Sequence, residues 1–228
     1  GNDDISYAGQ SSAHLDMFGG DYQVNRNLTL RYHHGELDDI YRQQFAGVVH
    51  TWPLSDEVSV RTDLRYFDSR DIGAGKAGEI DNRNLNGMFT LSVGFQRFSA
   101  AFQRLSGDSA FPVIDTGTPY VANLVTFNPF TKINEKSWQL RYEYDFAGMG
   151  IPGLSFMTRY VAGSDIHSGA IRNGREWERD TDIGYIVQSG ALKGVNVRWR
   201  NVTFRSGNGL TQDLDENRLI VAYTLKVW

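Results

Sequence analysis

Read in steps of two, the closing segment 215–228 (DENRLIVAYTLKVW) separates into two sets of side chains. Leu219, Val221, Tyr223, Leu225 and Val227 form one set; Arg218, Ile220, Ala222, Thr224 and Lys226 form the other. Successive side chains of a strand point to opposite faces, so this strand has one wholly apolar face and one mixed face. The same period runs along the whole chain. Segments 13–23, 28–38, 40–52, 58–69, 83–94, 98–105, 135–146, 154–163, 176–188, 195–205 and the closing one alternate, and turn signals separate them. No helical period persists beyond a turn or two. Segments of this kind match the roughly 9–11 residues that a tilted strand needs to cross a bilayer.

The connections alternate as well. VNRN (24–27), PLSDE (53–57), the bend at Phe95–Arg97, AGMGIPG (147–153) and SGALKG (189–194) are mostly short. Between them lie longer stretches at 70–82, 106–134, 164–175 and 206–213, with a short exception at Leu37–Ile40. Short turns on one side and long loops on the other describe an outer-membrane barrel, whereas a soluble sandwich or propeller has no reason to sort its loops by length. The pattern predicts an all-β, transmembrane antiparallel barrel of about eleven strands.

Composition narrows this reading. Aromatic residues make up 13% of the chain, which argues against disorder. Cysteine is absent, which excludes disulfides and Cys-based metal sites. A net charge of −4 gives no pointer to nucleic acid. No run approaches the ~18 apolar residues of a membrane helix, but barrel strands hide their lipid face in alternation and evade such a test. No signal peptide is visible at Gly1, so either it was removed or the chain starts partway through a longer protein.

Charge decides which face meets lipid. The triplet LRY recurs at 30–32, 64–66 and 140–142, with TRY at 158–160, and each puts Arg and Tyr on opposite faces. An Arg on the lipid face costs roughly 2–4 kcal/mol near the midplane, while Trp and Tyr are favourable at the interfaces. Arg31, Arg61, Arg65, Arg141, Arg159, Arg198, Arg200 and Arg218 are therefore expected to point inward, with Asp63, Glu143, Asp145, Glu178, Asp180 and Asp182 beside them. Trp138, Leu140, Tyr142, Tyr144, Phe146, Val197 and Trp199 are expected to point outward. The inward charges allow two readings: solvation of a wet interior, or a row of guanidiniums along which each fork hands a carboxylate to the next.

IYRQQFAGVV (40–49), LRYFDSRD (64–71), GDSAFP (107–112), SWQLRYEYDF (137–146), GIPGLSFMTRYVAG (150–163), EWERDTDI (176–183), VQSGALK (187–193), RWRNVTFRSGNGLTQDLDENRLI (198–220) and the terminal Trp resemble the OprD family of substrate-specific porins, the outer-membrane carboxylate channels of pseudomonads and their relatives. The resemblance covers essentially the whole chain. It implies a cell outer membrane location, a monomeric eighteen-stranded barrel set in outer-membrane lipid and lipopolysaccharide, and passive uptake of small carboxylate solutes without cofactor, metal or nucleic acid. It also implies a basic ladder, to which Arg198, Arg200 and Arg218 look like members; Arg31, Arg65, Arg141 and Arg159 rest on the facing argument alone. Family chains run nearly twice as long and bacterial barrels have even strand numbers, so residues 1–228 look like the C-terminal part of a single barrel domain. RSGNGLT, DENRLI and the final Trp look more like the branch that favours aromatic and other cyclic carboxylates than the branch for basic amino acids and peptides. The long loop 106–134 either folds into the lumen or caps the barrel from outside.

Other motifs fail. GDSA (107–110) lacks the glycine and the His-Asp context of a serine hydrolase, leaving a membrane-barrel hydrolase as a rival from another class. GAGKAG (73–78) lacks Ser or Thr after Lys76 and lies between strands. His33 and His34 are adjacent on a strand and face opposite sides. Asp180, Asp182 and Gly184 lack the spaced Glu of a calcium loop.

Overall fold

The computed structural model describes residues 5–115 and 117–225. A small hairpin, β1 (Ile5–Tyr7) and β2 (Gln10–Ser12), precedes eleven long strands: β3 (Leu15–Asn25), β4 (Leu28–Leu37), β5 (Tyr41–Pro53), β6 (Val58–Asp71), β7 (Asp81–Val93), β8 (Gln96–Ser106), β9 (Lys136–Asp145), β10 (Leu154–Ser168), β11 (Ile171–Ile186), β12 (Asn196–Ser206) and β13 (Leu214–Ala222). These eleven form one antiparallel sheet in unbroken chain order, with β3 and β13 at its two ends. The eleven alternating segments of the sequence correspond to these strands one for one. The calls on Lys226, Val227 and Trp228 lie outside the described residues.

Turn chemistry sets the short connections. The Asn25 side chain accepts hydrogen bonds from the Asn27 and Leu28 N–H groups and closes the β3–β4 turn. Gly94, at φ +53°, opens the two-residue turn from β7 to β8, a position that favours glycine. The expected long loop at 164–175 is a correction. β10 runs to Ser168 and β11 starts at Ile171, so the strands meet in a tight hairpin. Register shifts between Gly163, Ile166 and Ser168, with Asp165 and Asn173 both at φ +60°, break the alternation there. The 106–134 loop begins one residue later, at 107, and ends at 135.

Register fixes the two faces. Trp138, Leu140, Leu219 and Val221 are exposed on one face, and an apolar surface spread over so many strands exceeds what a soluble monomer tolerates. Part of the other face is covered by residues 107–115 and 117–135. Phe111 and Val121 from this loop pack with Phe45, Phe67 and Leu105 from the wall, while Val125 and Phe130 pack on Val161. Each such aromatic side chain contributes about 1.5–3 kcal/mol by leaving water. A second cluster of Leu37, Ile40, Tyr41 and Ile80 gathers Ile5, Tyr7 and Ile114 at the end of the sheet that carries the long connections.

Polar rivets complete the docking of the loop. On β11, Glu176, Glu178 and Asp180 occur at every second position and are buried. Asp180 accepts from the Thr126 N–H and hydroxyl at 3.2 and 2.8 Å. Glu178 accepts from the Phe127 and Asn128 N–H groups at 2.8 and 2.9 Å. Glu176 takes the Lys132 ammonium at 2.7 Å and the Asn128 side-chain amide. Buried carboxylates are kept only where such donors satisfy them. Glu135 closes the loop: its Oε2 accepts from the Lys132 N–H at 3.0 Å, while Oε1 is buried with no hydrogen-bond partner. A Cβ at residue 163 would lie 2.2 Å from that atom, so Gly163 makes room for it.

Two outcomes test this arrangement. Burial, reinforced by the neighbouring Glu176 charge, pushes Glu135 up to about 8. The folded loop then holds a proton that the free chain releases near its ordinary 4.5, so the associated stability is present below pH 4.5 and is lost as pH rises through about 8. Backbone hydrogen exchange at residues 128–135 should accelerate between pH 4.5 and about 8 beyond its intrinsic increase, with no further excess above, and Glu135→Gln should abolish that excess; an unchanged excess in the variant refutes the assignment. For the faces, single cysteines can be introduced because the chain has none. Cysteine at position 200 or 218 should react with a polar thiol reagent in the membrane, and cysteine at 199 or 219 should be shielded. The reverse pattern would mean a register displaced by one residue.

Candidate functional site in the charged wall of the sheet

On the loop-covered face, strand register lines up five positions in one row: Arg200 on β12, Asp182 on β11, Met157 on β10, Glu143 on β9 and Arg97 on β8. Arg218 on β13 extends the row. Adjacent inward positions bring Arg198, Arg141, Arg159, Asp145, Ser155 and Gly184 beside it, and together they line an open groove of about 570 Å³. The groove exists because β8–β13 all alternate in phase, so their inward residues share one wall.

Carboxylates organise the arginines. Asp182 receives both Nε and Nη2 of Arg200, at 2.8 and 2.6 Å, and lies 3.8 Å from Arg198. Glu143 lies between Arg141 at 2.7 Å and Arg97 at 3.1 Å. Asp63, on β6, takes Arg65 through two bonds of 2.9 and 2.8 Å and has Arg61 at 3.8 Å. Each of these three carboxylates therefore serves two guanidiniums, leaving one positive charge over at each cluster. Paired forks of this kind bind planar oxyanions through two parallel bonds. Arg198 keeps 41% of its side chain exposed and Arg97 keeps 58%, so a solute can reach them, whereas Arg159 at 13% is held by the buried Asp180 at 2.6 Å.

The sequence-selected residues distribute as follows. Arg141, Arg159, Arg198, Arg200, Glu143, Asp145 and Asp182 meet in the groove. Asp145 also caps the short 3₁₀ turn Phe146–Met149 by accepting from the Ala147 N–H. Arg218 stands one strand further on, paired with Glu216 at 2.6 Å. Arg31, Arg65, Arg61 and Asp63 belong to a separate part of the wall. There Arg31 contacts Asp21 at 3.2 Å and donates to the Tyr120 hydroxyl at 2.8 Å, while the Arg65 guanidinium stacks 3.8 Å from the Tyr120 ring centroid. Glu178 and Asp180 hold the loop. The reading of the sequence missed Arg97, because it placed a bend at Phe95–Arg97, and it missed Tyr120 and Glu176. The alternation of EWERDTD would have included Glu176; nothing in the sequence pairs Tyr120 with two distant arginines.

The motifs set aside have structural work. Asp39 accepts from the Ala74 N–H and contacts Lys76, from GAGKAG, at 3.1 Å; the backbone N–H first and the ammonium second hold the Asp39 carboxyl below its usual range. His33 faces inward to Asp21, whereas His34 stacks on Phe18 on the opposite face.

Comparison with known proteins agrees with this geometry. The family model for outer membrane porins of the OprD family matches residues 2–227. The porin-like protein GalP of Pseudomonas putida is 36% identical over 219 residues, covering 95% of this chain and 52% of its own. Porin D of Pseudomonas aeruginosa is 32% identical, with 97% and 55% covered. Among solved structures, OccK5 (OpdH) of Pseudomonas aeruginosa is 52% identical with a TM-score of 0.93, covering 97% of this chain and 60% of its own. The same organism's OpdK, solved with vanillate, is 37% identical with a TM-score of 0.91, covering 96% and 59%. The chain thus spans little more than half the length of the curated relatives it matches. A continuous antiparallel sheet with an apolar, aromatic outer face and a charged inner wall, matched by family and structure across nearly all its residues, belongs to the OprD family of outer-membrane porins.

Proposed function

We propose that the full channel containing this chain passively admits small carboxylate-bearing solutes, aromatic and cyclic ones foremost, along the arginines of its inner wall. The observation that carries this reading is the groove in which Arg97, Arg141, Arg198 and Arg200 pair with two carboxylates, Glu143 and Asp182, while the third, Asp145, caps the neighbouring turn. An incoming carboxylate engages the spare edge of a guanidinium, and the wall carboxylate takes that edge back as the solute moves on. Arg218 continues the path one strand further. Met157, in the middle of the row, gives an apolar surface for the ring of an aromatic acid. The vanillate bound in the OpdK structure is an aromatic carboxylate, which supports the substrate class. The channel performs no chemistry and the residues named here need no cofactor.

Neutralising Arg198, Arg200 or Arg218 to Gln in the full-length channel should lower carboxylate flux several-fold more than flux of a neutral solute of equal size. Arg→Lys should recover part of the loss, because charge returns without the fork. The effect should shrink as salt rises, since exposed charges are screened beyond about 8–10 Å. Uptake into liposomes of benzoate, arginine and a neutral sugar, measured side by side, reads all three. Equal losses for charged and neutral solutes would reduce the arginines to barrel-shaping residues, and faster arginine than benzoate would move the channel to the basic amino-acid branch.

A further inference from the structure

The outer face carries its own basic belt, which the solute path does not use. At the end of the sheet with the long connections, five consecutive strands each present one outward cation: Arg42 on β5, Arg70 on β6, Arg83 on β7, Arg104 on β8 and Lys136 on β9. They lie on the lipid side, because Lys136 shares its face with Trp138 and Arg104 shares its face with Phe102, two residues along each strand. Trp138, Tyr160 and Trp177 form an aromatic chain just below, with ring centroids 5.6 and 5.5 Å apart. Such a girdle marks the interface between hydrocarbon and headgroups. Arg104 and Lys136 stand about 7 Å beyond it, at two residues of strand rise, which is headgroup depth; Arg83 lies two residues and Arg70 and Arg42 four residues further along their strands, a stagger in keeping with the tilt of barrel strands.

The pairing within this belt is unfavourable by itself. Arg104 is directly opposite Lys136, and Arg42 is directly opposite Arg70. Like charges facing each other across strands destabilise a sheet. Lys136 is relieved by Asp165 at 2.8 Å, and Arg70 by Asp81 at 2.7 Å and Asp68 at 3.4 Å. Arg83 lies 3.5 Å from Asp81, and Glu36, opposite Arg42, turns to His34 at 3.6 Å. Arg104 and Arg42 make no ion pair among the described residues. The outward neighbours of Arg104 are Leu85, Arg83, Lys136, Trp138, Phe102 and Ser106, none of them acidic. Two exposed guanidiniums facing other cations at headgroup depth call for an anion from the membrane itself.

We propose that Arg42, Arg70, Arg83, Arg104 and Lys136 form a binding site for the phosphate groups of a phosphorylated glycolipid of the outer leaflet. A guanidinium meets a phosphate through two parallel hydrogen bonds, which an ammonium cannot do. The five cations span four strand spacings, about 19 Å, and are staggered by four residues, about 13 Å, along the strands, wide enough for a headgroup with phosphates at both ends. A glycolipid with separated phosphates can bridge the Arg42–Arg70 and Arg104–Lys136 pairs, whereas a phospholipid with one phosphate reaches only one pair. The acyl chains then lie along the aromatic girdle. The proposal rests on the placement of the sheet in the outer membrane and is independent of which solute the channel carries.

The test uses the full-length channel in detergent. It is incubated with diphosphorylated lipid A, with the same lipid after removal of its phosphates, or with phosphatidylglycerol, and the lipid kept after washing is counted by native mass spectrometry. Wild type should keep the diphosphorylated lipid, and the double variant Arg42→Gln/Arg104→Gln should keep at least tenfold less. The dephosphorylated lipid should be held poorly by both. Arg104→Lys should hold an intermediate amount. Heat-modifiable mobility and benzoate flux should stay at wild-type values, since these residues lie on the opposite face from the solute path; that separates loss of the site from misfolding and from any failure of the transport reading. Equal retention by wild type and double variant overturns the site. Equal retention of phosphatidylglycerol and lipid A by wild type makes the belt a general anionic surface and overturns the glycolipid assignment.

Discussion

Backbone hydrogen bonding in hydrocarbon is the constraint from which this structure follows. A peptide N–H or C=O facing lipid has no water to turn to, so each strand must find its partners in the next. The chain meets this demand by pairing every long strand with its sequence neighbour from β3 to β13. Once pairing is continuous, register ceases to be free. A slip of one residue would carry Arg200, Asp182, Glu143 and Arg97 to the lipid side together, because they occupy one row. The cost of four misplaced charges far exceeds any ladder energy such a slip could regain. Side-chain chemistry thereby selects the register, and backbone chemistry makes that selection propagate across the sheet.

The inner wall then has two tasks, and β11 performs both with one residue type. Its acids at 176, 178 and 180 accept donors from the loop, while Asp182 accepts from Arg200. The division follows burial. Where the loop covers the wall, the acids accept donors from the loop, backbone N–H groups among them, and Asp180 holds Arg159 as well. Where the wall stays open, the carboxylate meets guanidiniums. Removing Glu178 would leave the Phe127 and buried Asn128 N–H groups without acceptors, the buried one costing about 1–3 kcal/mol, so the acids hold the loop more firmly than its apolar contacts alone would.

How much of this was legible in the sequence depends on the length of the interaction concerned. Strand identity and face were legible because they depend on period two within ten residues, as in EKSWQLRYEYDF, where each outward aromatic alternates with an inward polar group. The 164–175 segment was not legible as strand, since Asp165 and Asn173 sit at positive φ and shift the phase. Arg97 was lost to a turn reading because FQR follows a glycine and the turn needs only Gly94 and Phe95. Tyr120 was out of reach: its two arginine partners are 89 and 55 residues away, and only the folded loop brings them together. The outer basic belt escaped for a related reason. Its meaning lies in which cations face each other across strands, and that needs the register of β5–β9.

The paired arginines bear on how a channel of this kind can be selective without being slow. A row of bare guanidiniums would bind a carboxylate tightly and release it poorly. A row in which every guanidinium had its own carboxylate would offer an anion nothing. The arrangement of one carboxylate to two arginines lies between these limits. At Asp182 the tight partner is Arg200 at 2.6 Å and the loose one is Arg198 at 3.8 Å, and at Asp63 the tight and loose partners are Arg65 at 2.8 Å and Arg61 at 3.8 Å. In the proposed path the loose arginine is the one a passing anion meets first. Its wall carboxylate remains close enough to reclaim it, so each step of the proposed path would replace one charge-assisted contact with another of similar strength. Attraction at the entrance of a step and competition at its exit then come from the same three side chains.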